Sequence, residues 1–175
     1  MMPIPSHLTN CVTPDSSEID ESPLLGKVQC PCGSDVFQLL YPGRTREHEE
    51  GPIPCVAEID GKFFFLIKAK CCACKKEHLL IDIDFHGWNG FVCHEPNQAN
   101  LPRPSLVPWK CLSCGSTEHK ATILVSGEGK LDFIEETEGE FDEDRWPDGF
   151  GCFAMAIACS KCEKSTDGWI SMETM

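Results

Sequence analysis

The chain has 175 residues, 41% of them hydrophobic, enough for one domain or two small ones. It carries a formal charge of −13, spread as −3 over residues 1–27, −3 over 28–95 and −7 over 96–175. Such acidity repels phosphate backbones at long range and argues against general nucleic-acid binding. No run of eighteen apolar residues exists, so no transmembrane helix is expected.

The N-terminal stretch, residues 1–26, holds Pro3, Pro5, Pro14 and Pro23 and shows little hydrophobic periodicity. It reads as a flexible tail in which Cys11 binds nothing. It has neither a basic nor an apolar segment of the secretory kind, which points to a cytoplasmic chain. In that compartment thiols stay reduced, and the thirteen cysteines read as metal ligands before they read as disulfides.

Beyond the tail, the chain repeats a pattern. The first copy opens with Cys30-Pro31-Cys32-Gly33-Ser34 and closes with Cys71-Cys72-Ala73-Cys74. The second opens with Cys111-Leu112-Ser113-Cys114-Gly115-Ser116 and closes with Cys159-Ser160-Lys161-Cys162. Asp60-Gly61 and Asp148-Gly149 each precede the third cysteine of their copy by eleven residues, an offset that supports a duplication. The predicted units are ribbon 1 over 27–95, a proline-rich connector over 96–108, and ribbon 2 over 109–175.

Strands are predicted at Val36–Tyr41, Val56–Ile59, Lys62–Ala69 and His78–Ile83, with Asp60-Gly61 as a two-residue hairpin turn. In the second copy they are predicted at Lys120–Val125, Leu131–Ile134, Cys152–Ala158 and Gly168–Met172. The expected fold is all-β: two zinc-ribbon-like β units in tandem, each stapled by a four-cysteine site.

The reason lies in the spacing. Zinc takes four ligands in a tetrahedron, and a two-residue gap lets both sulfurs of one tight turn face the same ion. A glycine after the second cysteine allows positive φ there. Cys111, Cys114, Cys159 and Cys162 form the more regular predicted site, with Glu163 in place of a glycine after Cys162. Cys30, Cys32, Cys71 and Cys74 form the other, with a first turn one residue short and Cys72 as an alternative ligand. Two Zn²⁺ ions are expected, although four-cysteine sites also accept iron. Filling both sites would take the net charge to about −17, because coordinating thiols are deprotonated.

These motifs resemble the tandem zinc-ribbon proteins over residues 28 to about 170. As a whole, with the segments running from Phe85 to His94 and from Glu140 to Asp148, the chain looks like small two-ribbon bacterial proteins of unassigned function. The resemblance implies a fold and a metal but no reaction.

Other groups in the sequence carry chemistry of their own. Asp82, Asp84, His86, Cys93 and His94 could form a hydrolytic metal site. The alternation of Asp82 and Asp84 with Ile81, Ile83 and Phe85 reads instead as a strand with its polar face in water. Glu135, Glu136, Glu138, Glu140, Asp142, Glu143 and Asp144 form a dense acidic loop, with Phe141 and Trp146 as aromatic anchors for a basic partner. Lys68, Lys70, Lys75 and Lys76 with Phe63, Phe64 and Phe65 form the basis of a nucleic-acid reading. A thioredoxin-like redox role lacks its βαβ setting. The sequence therefore points to a non-enzymatic zinc protein that binds another protein, as an adaptor or immunity-type module. Nucleic-acid binding and metal-dependent hydrolysis are the alternatives.

Overall fold

Side chains that alternate between the core and the outer face build two long neighbouring strands of the protein. The computed structural model describes residues 2–15, 23–93 and 102–175. β11 (Glu118–Ser126) and β12 (Cys152–Cys159) run antiparallel in full register. Their inward residues meet as directly opposed pairs: Ala121 with Ile157, Ile123 with Met155, and Val125 with Phe153. Such pairs are the packing unit of a sheet.

The other strands assemble around this pair. They are β1 (Val12–Pro14), β2 (Leu24–Val28), β3 (Phe37–Tyr41), β8 (Leu66–Cys71), β9 (Glu77–Asp82), β10 (Val107–Pro108) and β13 (Ser165–Glu173). One nine-stranded antiparallel sheet results. Along one side of β11, its first residues pair with β3 and its later ones with β2. β8 and β9 continue outward from β3, and β1 from β2. β13 covers the far side of β12. Two small hairpins stand apart, β4 (Thr45–Arg46) with β5 (Ile53–Pro54), and β6 (Ala57–Ile59) with β7 (Lys62–Phe64). The fold is all-β with one cysteine cluster in each half, and strands of both halves share the sheet.

Residues 1–26 do not behave as a tail where they are described. Ser6–Leu8 form a 3-10 turn, and β1 pairs with β2 through Val12 opposite Val28. Leu8 is fully buried, and Met2, Cys11 and Val12 join the core. Gly26 makes the close approach of β1 possible, since a Cβ there would lie 2.6 Å from Val12 Cγ1. Proline-rich, weakly periodic sequence is here a short strand and a turn whose apolar residues are spaced by tertiary contact.

The connector is also tied down over its described part, 102–108. Arg103 donates to both Asp82 and Asp84, and Val107–Pro108 pairs with β3. Asp82 and Asp84 are therefore buried, against the expectation of a solvated strand face. Burial raises the Asp82 carboxyl above its ordinary value, and Arg103 works in the opposite direction. The guanidinium also lies over the Phe64 and Phe85 rings. Its contacts explain how two carboxylates tolerate an apolar setting.

Leu131–Ile134 is helical, not extended. α1 (Lys130–Glu136) buries only Phe133 and leaves Leu131 81% exposed. Four residues of alternation are too few to decide between the periods, and Lys, Leu and Glu favour the helix. Glu138 and Gly139, both at positive φ, end it. The matched Asp-Gly pairs also differ in conformation. Asp60 and Gly61, at φ 52° and 77°, form the expected hairpin turn of β6 and β7. Asp148 and Gly149 close a 3-10 helix, Glu143–Gly149.

Candidate metal centres

Four turns carry the eight cysteines, and they share one backbone frame. The first cysteine of each turn accepts a hydrogen bond at its carbonyl from the residue after the second cysteine: Gly33, Lys75, Gly115 and Glu163. These four residues have φ of 91°, 65°, 73° and 60°. The first cysteine's own N–H closes the turn by donating to the carbonyl of Ser34, Lys76, Ser116 or Lys164. The Cys30-Pro31-Cys32 turn is the same device with one residue fewer.

The frame brings the sulfurs together in two groups, Cys30, Cys32, Cys71 and Cys74 in one and Cys111, Cys114, Cys159 and Cys162 in the other. Within each, all four Sγ atoms lie within 4.8 Å of one another. Cys30 and Cys74 are 3.5 Å apart, and Cys32 and Cys71 3.6 Å. In the second group Cys111–Cys162 and Cys114–Cys159 are both 3.6 Å. A tetrahedron with Zn–S bonds of about 2.3 Å has sulfur–sulfur edges of about 3.8 Å, so both groups fit one tetrahedral ion. The short first turn does not disturb its site. Cys72 stands outside the group, half-buried rather than in the core, with its N–H on the Val36 carbonyl.

Each turn places its first sulfur inside and its second at the surface. Burial raises the Cys71 thiol, but the N–H groups of Cys74 and Ala73 and the thiols of Cys32 and Cys74 outweigh it, leaving Cys71 lowered to about 6. Cys159 is lowered to about 6 in the same way, burial being outweighed by the N–H groups of Cys162 and Lys161 and by neighbouring thiols. Burial and its neighbouring thiols push Cys30 up to about 12. Cys162 also rises to about 12: the Lys164 N–H favours its thiolate, and slight burial and three thiols prevail. Backbone N–H groups aimed at sulfur are the usual means of carrying thiolate charge at such a site. A metal ion takes the thiolates and releases the protons.

The two sites stand in one line across the sheet. Cys71 on β8 is opposite Phe37 on β3, Phe37 is opposite His119 on β11, and His119 is opposite Cys159 on β12. All four face the core. Three strand spacings of about 4.8 Å separate the ends of this row, about 14 Å in all. His78, buried on β9, places Nε2 3.3 Å from Cys30 Sγ, a contact that cysteine spacing alone does not reveal. With Nε2 protonated, the ring donates to that sulfur. Its other side meets the Phe37 ring edge-on.

The remaining candidates are placed differently from expectation. Glu135, Glu136, Glu138, Glu140, Asp142, Glu143 and Asp144 are exposed, as the acidic-loop reading requires. Their aromatic neighbours turn inward: Phe141 packs on Phe91 and Phe133, and Trp146 packs on the main core. Both are half-buried, so each keeps part of its surface exposed beside the acidic row. Of the phenylalanines near the lysines, Phe64 and Phe65 are buried and Phe63 is exposed. Lys68 pairs with Glu77, and Lys75 donates to the Cys72 carbonyl. His86 stacks on His7 at 3.6 Å, and Cys93 is exposed. His94 lies outside the described residues.

No known protein family, curated protein or solved structure matches this chain.

Proposed function

We propose that this is a non-enzymatic, cytoplasmic zinc protein whose two four-cysteine sites hold the fold, and that it acts by binding a basic protein partner. The observation that carries the metal half is the pair of tetrahedral sulfur groups, each framed by two turns of one design. Four thiolates complete the coordination of a zinc ion and leave no position open for substrate, which is the character of a structural site.

The partner half rests on charge. Residues 126–151 hold ten acids against two bases, a net −8 of the chain's −13. Seven of those acids are exposed in a row that begins in the last turn of α1. Among the described residues, no helix is long and apolar enough to cross a membrane. The two alternatives find less support. The carboxylates that would serve a hydrolytic site are engaged by Arg103, and the lysines that would serve nucleic acid have one exposed phenylalanine beside them.

The test is a pull-down from native lysate with wild type and with a variant in which Glu135, Glu136, Glu138 and Glu140 are changed to glutamine. The expected result is a basic protein that is retained by wild type and lost with the variant at equal zinc content. Equal retention of every partner by both proteins, or no partner at all, removes the partner half.

A further inference from the structure

Two imidazoles lie face to face where the N-terminal segment meets the sheet. His7 and His86 have ring centroids 3.6 Å apart and planes 12° apart. His7 Nε2 lies 3.1 Å from the Leu80 carbonyl on β9, so it carries the proton and donates. His86 Nδ1 lies 3.0 Å from the Asp82 backbone nitrogen and accepts its N–H, so that ring nitrogen is bare. This second contact exists only while His86 is neutral. The first tolerates a proton on the free nitrogen of His7, but a charged ring would then lie against its neighbour's face.

These contacts are where the segment is fastened. Asp148 accepts from the Ser6 N–H and from Ser6 Oγ, and Arg145 neutralises the same carboxylate. Leu8 fills the core behind, and the Phe150 ring lies 6.1 Å from His7. A cavity of about 180 Å³, lined by Ser6, His7, His86, Phe91, Arg145 and Asp148, gives water a route to the rings.

We propose that the stacked His7–His86 pair is a proton-operated latch: when it takes up protons, residues 2–15 leave the body of the protein and uncover the edge of β2 and the Asp148 carboxylate. Two like charges one ring thickness apart repel, and a protonated His86 loses its acceptor for Asp82 N–H. The groups facing the pair are few. Asp148 favours protonation of both rings, and Arg145 is paired to that carboxylate. The Asp82 carboxylate is engaged by Arg103. Burial dominates, lowering His7 to about 4 and His86 to about 3. The docked form therefore favours neutral rings. Its advantage is complete above the ordinary histidine value near 6.5 and is lost as pH falls from there toward about 3.

The test is a histidine-ring titration by NMR from pH 7.5 downward on the zinc-loaded full chain, with backbone amides followed in parallel. The expected result is that both rings stay neutral well below pH 6.5. As they charge, signals of residues 2–15 move to unfolded positions while those of β8, β11 and β12 hold. His7→Phe keeps a stack and takes no proton, so undocking should move at least one pH unit lower. If that variant does not dock at neutral pH, His86→Phe serves in its place with the same expectation. A ring that titrates near 6.5 with the segment still docked overturns the proposal. So does a segment that stays docked on two charged rings, or one that leaves only together with the cysteine-bearing strands.

Discussion

Replacing Glu163 with glycine should make this protein more stable. Each cysteine turn needs a residue at positive φ after its second cysteine, and two of the four supply glycine there. Lys75 and Glu163 fill the same role at φ 65° and 60° with a Cβ present. A left-handed conformation costs a non-glycine residue about 1–2 kcal/mol. Glycine's larger entropy in the unfolded chain returns about 0.4–1 kcal/mol of that, leaving a net gain of about 1 kcal/mol. For a chain of this size, about 1 kcal/mol moves Tm by about 2–4 °C. The reverse change provides the control. A Cβ on Gly115 would meet nothing within 4 Å, so Gly115→Ala tests backbone strain and not crowding. It should lower Tm by a similar amount. Thermal melts of the zinc-loaded proteins, followed by circular dichroism, check both. An unchanged or lower Tm for Glu163→Gly, with Gly115→Ala neutral, would show that the left-handed residue is not a source of strain.

Three other changes probe the scaffold. Arg103→Met leaves the buried Asp82 and Asp84 carboxylates without their guanidinium, and should cost about 3 kcal/mol in urea denaturation. A loss under about 1 kcal/mol would mean that Lys62, 3.7 Å from Asp84, or water takes over its role. Leu8→Ala should cost about 2–5 kcal/mol, because the side chain is fully buried; a true tail residue would cost nothing measurable. Cys114→Ser breaks the second site, and the row Cys71–Phe37–His119–Cys159 carries the damage to the first. The metal left in this variant should fall to a chelator faster than metal in wild type, read by chromogenic release. Equal release rates would make the two sites independent.

Local chemistry made much of this fold legible. β3, β8, β9, β11 and β12 lie in runs rich in β-branched, aromatic and other apolar residues, and Asp60-Gly61 turns as its dipeptide requires. The eight cysteines group as their spacing demands, because a tight turn is a local object. What escaped was non-local. Nothing near Asp82 and Asp84 announces Arg103, which arrives from the connector about twenty residues later, so a buried ion cluster read as a wet strand face. Leu8 and Val12 have no periodicity of their own, since their burial comes from β2 and β9. Nothing in the acidic run announces that Phe141 packs partly on Phe91 and Phe133, and Trp146 partly on the main core. Asp148-Gly149 imitates Asp60-Gly61 in letters only, because a proline and an ion pair with Arg145 hold it in a 3-10 helix.

The two sulfur tetrahedra are tested most directly by elemental mass spectrometry on the full chain purified without added metal. Protein is counted by amino-acid analysis, and the fold is followed in chelator. Two zinc ions per chain, with loss of β structure as they are removed, are the expected result. A chain that carries no metal and keeps its fold in chelator would contradict the metal-stapled fold.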